Sequence, residues 1–321
     1  MSSTTEPPRR VSYSVCHEVS KMCPVEATVL GYYPNFGVSI FFAVAFGLAM
    51  IAAGGLGVSK KTWTYGFATT AGLLLEAAGH IGRALLHKNP WNKDAFQLQI
   101  CAIIIAPTLI CVAIYVTLKH IALALNPSLS RIKPRLYPLI FLPADLSCLV
   151  LQAIGGGLAA SGNNKKLIDG GNNTILAGIV LQVVVLAAFG VMGVDYWIRV
   201  KKYMASPEAD TRSLATWRDK KFRSFAYAVT GAYASIFIRC IYRIAEMAGG
   251  WGNHIMQDEP SFLVLDSALI LVATYLLTIF HPGLFFPQMC SGYYKKHQEE
   301  VPVGESKDNA AEASESPSSH A

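Results

Sequence analysis

Charge is scarce in this 321-residue chain: Asp, Glu, Lys and Arg together make up 15% of it, where soluble domains average about 25%. Much of that charge is crowded into short segments. The stretches between them are apolar and about 20 residues long, the length that crosses a bilayer as a helix. Other absences remove whole classes of function. The net charge of +6 is no nucleic-acid signal, because the basic residues sit between the apolar runs. The seven cysteines show no zinc spacing. Gly54 to Lys60 faintly resembles a phosphate loop, but lacks the Gly-Lys-Ser/Thr ending and follows a span rather than a strand. No ATP site is visible and no cofactor is expected. Glu76 and His80 do not make a His-Glu-x-x-His zinc motif. The last apolar run has no lysine, which excludes a retinal Schiff base there. Residues 1–34 hold no apolar core of the signal-peptide kind.

What is present reads as an all-α, polytopic membrane protein. Seven spans are predicted over 35–59, 62–86, 95–118, 137–160, 174–198, 224–248 and 261–286. They form a membrane domain over 35–286, with an N-terminal segment over 1–34, read as a polar tail, and a disordered tail over 287–321. Lys and Arg concentrate in the first, third and fifth loops, while the second, fourth and sixth hold Lys88, Lys93, Lys165 and Lys166. The N-terminus is therefore expected outside and the C-terminus in the cytosol. Asn172-Asn173-Thr174 is a glycosylation sequon, with Asn172 as acceptor, in a loop expected on the outer side. Cys16 and Cys23 can pair if their segment is extracellular.

The spans themselves carry ionisable groups, which hydrocarbon solvates badly. Such groups usually face a bundle interior or a wet cavity. Arg239, Arg243 and Glu246 share one face of the sixth span, and Glu76, His80 and Arg83 one face of the second. At 1.5 Å of rise per residue from the cytosolic edge, Glu76 and Arg239 sit about 21 Å up, Gln152 about 22 Å and Asp266 about 24 Å. They are predicted to share a layer in the outer half of the membrane, with Glu76 and Arg239 as partners, directly or through water. Glu76, His80, Arg83, Gln152, Arg239, Tyr242, Arg243, Glu246 and Asp266 are the candidate substrate-binding residues. Asp145, Asp195 and His281 form a second polar set near the cytosolic ends. Simpler readings stand beside these. Arg83 and Asp195 can be structural or snorkelling, and His281, before Pro282-Gly283, a helix-end cap. Gly155-Gly156-Gly157 reads as a site of close helix approach, and Pro107 and Pro143 as kinks.

Together these pieces resemble the fungal lipid-translocating exporter family over about residues 31–285. The matching segments are Gly31-Tyr-Tyr-Pro-Asn35, Glu76-Ala-Ala-Gly-His-Ile-Gly-Arg83, Asp145 through Gly157, Arg239-Cys-Ile-Tyr-Arg-Ile-Ala-Glu246, and Asp266 with His281-Pro-Gly283. His80 stands where that family often has an aromatic residue. The resemblance implies seven spans, an outside N-terminus, the plasma membrane or another endomembrane, and movement of lipids or amphipathic toxins. The leading expectation is thus a transporter of an amphipathic, lipid-like molecule rather than an enzyme, with membrane lipids or amphipathic small molecules as partners and the oligomeric state open. The alternatives are a seven-span receptor or lipid sensor and, as a minor one, an intramembrane hydrolase with zinc on His80, His281, Asp145 and Asp266.

Overall fold

The computed structural model describes residues 16–161, 165–207 and 209–290. Among them the secondary structure is helical, apart from one isolated bridge between Ser20 and Cys23. The helices are α1 (Phe36–Ser59), α2 (Trp63–Lys88), α3 (Lys93–Leu125), α4 (Leu136–Ser161), α5 (Lys165–Met204), α6 (Thr211–Arg218) and α7 (Lys220–Ala248). The last span is built in pieces: α8 (Glu259–Phe262), a π-helical segment (Leu263–Ala268), α9 (Leu269–Ile279) and α10 (Pro282–Phe285).

Local chemistry sets the starts. Asn35, Asn92 and Asp219 cap α1, α3 and α7, each accepting from a backbone N–H one to three residues into its helix. The side chains on the outside are apolar: Phe41, Leu48, Phe67, Leu139, Val191 and Val264 all face outward. A protein with large apolar groups outside and charges inside is built for lipid. Among the described residues, six stretches are long and apolar enough to cross a membrane: α1, α3, α4, α5, α7 and Glu259–Phe285. α2 is 26 residues long, about 39 Å, and packs between α1 and α3. It is less apolar because it carries Glu76, His80 and Arg83.

α3 is the central helix. Its most apolar stretch is 72% buried, against 28% for α4 and for α5. Two helices outrun their expected bounds. α3 continues to Leu125, and α5 begins at Lys165 and runs 40 residues, about 60 Å, so it extends well past a core about 30 Å thick. The polar loop expected over 162–173 is therefore helix from Lys165 on. Its glycines misled the reading, because Gly171 is used for packing. A Cβ on Gly155 would meet the Gly171 carbonyl at 2.7 Å, so α4 and α5 meet backbone to backbone. Of the three-glycine run, Gly155 makes that approach while Gly156 and Gly157 face open space. The sequon consequently lies inside α5, with Asn172 half-buried against Gly250.

The expected N-terminal tail is a second correction. From Cys16 on, the segment is a strap folded over one end of the bundle. Cys16 and Cys23 form a disulfide. The Trp91 indole donates to the Cys23 carbonyl at 3.1 Å, and the Asn89 amide to the His17 carbonyl at 2.8 Å. Cys16, Ala27 and Trp91 make a small apolar core there. The Cys16–Cys23 pairing was open from the sequence, but the contacts with Asn89 and Trp91 that fold the strap down are long-range and leave no periodic trace. The opposite end carries the basic turns.

Candidate functional site

The site is assembled from α2, α3, α7 and the π-helical segment. α2 brings Glu76, His80 and Arg83 onto one buried face, and α7 brings Arg239, Arg243 and Glu246. α2 approaches α3 closely: a Cβ on Gly82 would meet the Ala95 carbonyl at 2.9 Å. α3 contributes backbone. Pro107 has no N–H, so it cannot bond the carbonyl four residues earlier, that of Ile103. Arg239 Nη2 donates to that carbonyl at 2.9 Å. Its Nε lies 2.8 Å from Asp266 Oδ1, an ion pair by distance whose alignment is not that of a hydrogen bond. Asp266 sits within the π-helical segment, a widened turn of a kind frequent at functional sites.

The Glu76–Arg239 partnership, expected directly or through water, is not a direct contact among the described residues: the ion-pair partner of Arg239 is Asp266. Glu76 lies within electrostatic reach of both and is 1% exposed. Neither of its carboxylate oxygens has a hydrogen-bond partner among the described residues. Three carboxylates and two guanidiniums therefore gather here, with Arg243 bonded to Glu246 at 2.5 Å.

Toward the strap, Arg83 Nη2 donates to Glu259 Oε1 at 2.9 Å and to the Tyr32 hydroxyl at 2.7 Å. Its guanidinium also lies over the Phe262 ring at 4.4 Å. Glu259 accepts a second bond from the Asn35 backbone N–H at 2.9 Å. Burial pushes the Tyr32 hydroxyl pKa upward. Leu30, Tyr32, Arg83, Gln99, Arg243 and Glu246 line a cavity of about 10 Å³, room for about one water. Gln99 Oε1 beside it has no partner.

Other expected residues lie apart. His80 stacks against both Phe42 and Phe46, at 5.0 and 5.5 Å, and neither ring nitrogen has a hydrogen-bond partner among the described residues. Gln152 belongs to a separate ladder across α4, α5 and α3: it donates to Gln182 at 3.1 Å, and Gln182 donates to Thr108 at 3.2 Å. Tyr242 is buried, and its hydroxyl has no hydrogen-bond partner among the described residues. The second polar set does not assemble either, because each member has its own partner. Asp145 accepts from Tyr115 at 2.6 Å. Asp195 holds Arg131 and Arg199, each at 2.9 Å. His281 caps α10, accepting from the Gly283 N–H at 3.1 Å. The sequence reading missed Tyr32, Gln182, Tyr115, Glu259 and the Ile103 carbonyl. Only the last left a usable signal, a proline four residues downstream.

A helical bundle with lipid-facing apolar side chains and a buried charge cluster inside is a multi-pass membrane protein. The chain belongs to the family described as RTA1 like protein, whose model matches residues 69–289. It is 29% identical over 282 residues to the sphingoid long-chain base transporter RSB1 of Saccharomyces cerevisiae strain ATCC 204508 / S288c, covering 80% of this chain and 74% of the relative. It is 28% identical over 216 residues to protoporphyrin uptake protein 1 of the same strain, covering 67% of each. Protein RTM1 of the same species is also 28% identical over 216 residues, or 67% of this chain and 65% of the relative. No solved structure matches.

Proposed function

We propose that this protein exports an amphipathic, lipid-like cation across the plasma membrane. α2 completes seven spans, the strap lies outside, and the basic turns face the cytosol. The observation that carries the reading is the bare Glu76 carboxylate beside the Arg239–Asp266 pair, in a bundle whose outside is apolar. A head group is held there by charge while its chain stays in lipid. The relatives named for a sphingoid base and for protoporphyrin support an amphiphile. A long-chain base suits Glu76, since its ammonium supplies the missing partner. Arg239 orients Asp266 and is itself fixed by the Ile103 carbonyl. The strap closes the outward path, with the Arg83–Glu259 pair as its latch. The test is transport of a fluorescent long-chain base by the purified protein in liposomes. Movement above that of protein-free liposomes supports an exporter. Binding without movement overturns it in favour of a lipid sensor.

A further inference from the structure

Among the described residues the buried ion pairs leave two carboxylates over: Asp145, which accepts from the Tyr115 hydroxyl, and Glu76. Arg239 serves Asp266 at 2.8 Å and Arg243 serves Glu246 at 2.5 Å. Nearer the strap, Arg83 serves Glu259 at 2.9 Å. Glu76 has no such partner among the described residues, and both its oxygens are closed off from solvent. An uncompensated charge in such a place costs several kcal/mol. The helix cannot relieve it, because the α2 amides beside Glu76 are already committed to its own turns.

The neighbours of Glu76 narrow what does relieve it. α7 presents Arg239 and the π-helical segment Asp266. Its own helix presents His80 one turn on, packed against the Phe42 and Phe46 rings. α3 turns Ala102, Ile103, Ala106 and Ile110 toward α2, and α1 presents aromatic rings. No further charged group among the described residues reaches Glu76. A proton on the carboxyl cancels its charge, and so does an ammonium brought by a ligand. Each excludes the other, since protonation removes the charge that attracts the ammonium.

We propose that Glu76 is an exchange site at which a proton and the cationic head group of an amphiphile alternate, so that export of each amphiphile is coupled to entry of a proton. This rests on the head-group reading above. On the loading side the ammonium binds, the carboxyl O–H bond breaks and its proton passes to water on that side. On the release side the ammonium leaves and a proton from that side restores the O–H bond. One positive charge crosses in each direction, so the cycle is electroneutral. No nucleotide is needed.

The experiment uses the full-length protein in liposomes without nucleotide. The probe is a fluorescent long-chain trimethylammonium amphiphile, whose permanent charge prevents passive accumulation along a pH gradient. A gradient of one pH unit should concentrate it about tenfold on the acidic side. An imposed potassium diffusion potential should leave that ratio unchanged. A wild type that moves the probe but holds the ratio at unity overturns the exchange and leaves the exporter standing. So does movement of a long-chain base but not of the permanent cation. A wild type that moves neither overturns the exporter reading itself. Glu76→Gln should lose the concentration, and Glu76→Asp should keep it; a Gln variant that still concentrates the probe overturns the assignment to Glu76. If Glu76→Gln does not fold, stoichiometric proton release on probe binding to the solubilised wild type supports the proposal, and no release overturns it.

Discussion

Arg239 and Pro107 act on the same carbonyl, from different helices. Pro107 leaves the Ile103 oxygen without its helical N–H, and Arg239 supplies a donor to it at 2.9 Å. Each flaw compensates the other: an interior proline costs a helix about 3 kcal/mol in exposed settings, and a buried guanidinium needs acceptors. Pro107→Ala should therefore restore an N–H to Ile103 and weaken the anchor of Arg239. The expected result is an unchanged or raised thermal midpoint with slower transport. Equal loss of both would mean that the carbonyl plays no part in positioning Arg239.

The Arg239–Asp266 pair is buried on both sides, at 5% and 1% side-chain exposure. Removing one partner strands the other, at a cost of about 3–5 kcal/mol. Arg239→Leu and Asp266→Leu should each lower stability by that order in a chemical or thermal unfolding assay. The double variant should recover much of the loss, because no charge is then left alone. It should not recover transport. A double variant as unstable as the sum of the singles would show that the two do not act as a pair.

The membrane class was plain from the runs of apolar residues, and α1, α2, α4 and α7 begin and end within a few residues of expectation. The common height of Glu76, Arg239 and Asp266 follows from rise per residue alone. Their pairing does not. Asp266 lies in a π-helical turn, and a periodicity argument built on 3.6 residues per turn misplaces its direction. α5 was cut short because Gly170-Gly171-Asn172-Asn173 has loop composition, whereas Gly171 earns its place by contact with α4. The Asp145, Asp195 and His281 set dissolved because nearness along the membrane normal does not make residues neighbours across it. Tyr115 and Arg131, their actual partners, lie on other segments of the chain.

The strap is held by a latch at which Glu259 accepts from both Arg83 and the Asn35 amide. Glu259→Gln keeps the shape and removes the charge. Backbone amides over residues 16–35 should then exchange hydrogen faster, with α3 and α7 unaffected. Cys16→Ser with Cys23→Ser should do the same more strongly, since closing a loop this short by a disulfide is worth about 2–3 kcal/mol locally. Protection unchanged in both variants would show that the strap is held by its apolar contacts, Leu30 on Leu86 and Ala95.

His80 is the residue whose environment contradicts its chemistry. Its ring stacks against both Phe42 and Phe46, and both nitrogens lack partners among the described residues. Each buried, unsatisfied polar atom costs about 1–3 kcal/mol. A phenyl ring fits the same stack and leaves nothing unsatisfied, so His80→Phe should raise stability by about 1 kcal/mol or more, read as a higher thermal midpoint. The proton-driven accumulation ratio should not change, because the stoichiometry is set at Glu76, four residues earlier. A lowered midpoint would mean that the imidazole nitrogens are satisfied in the folded protein. A lowered ratio would mean that His80 holds part of the exchanged proton and that the site spans both residues.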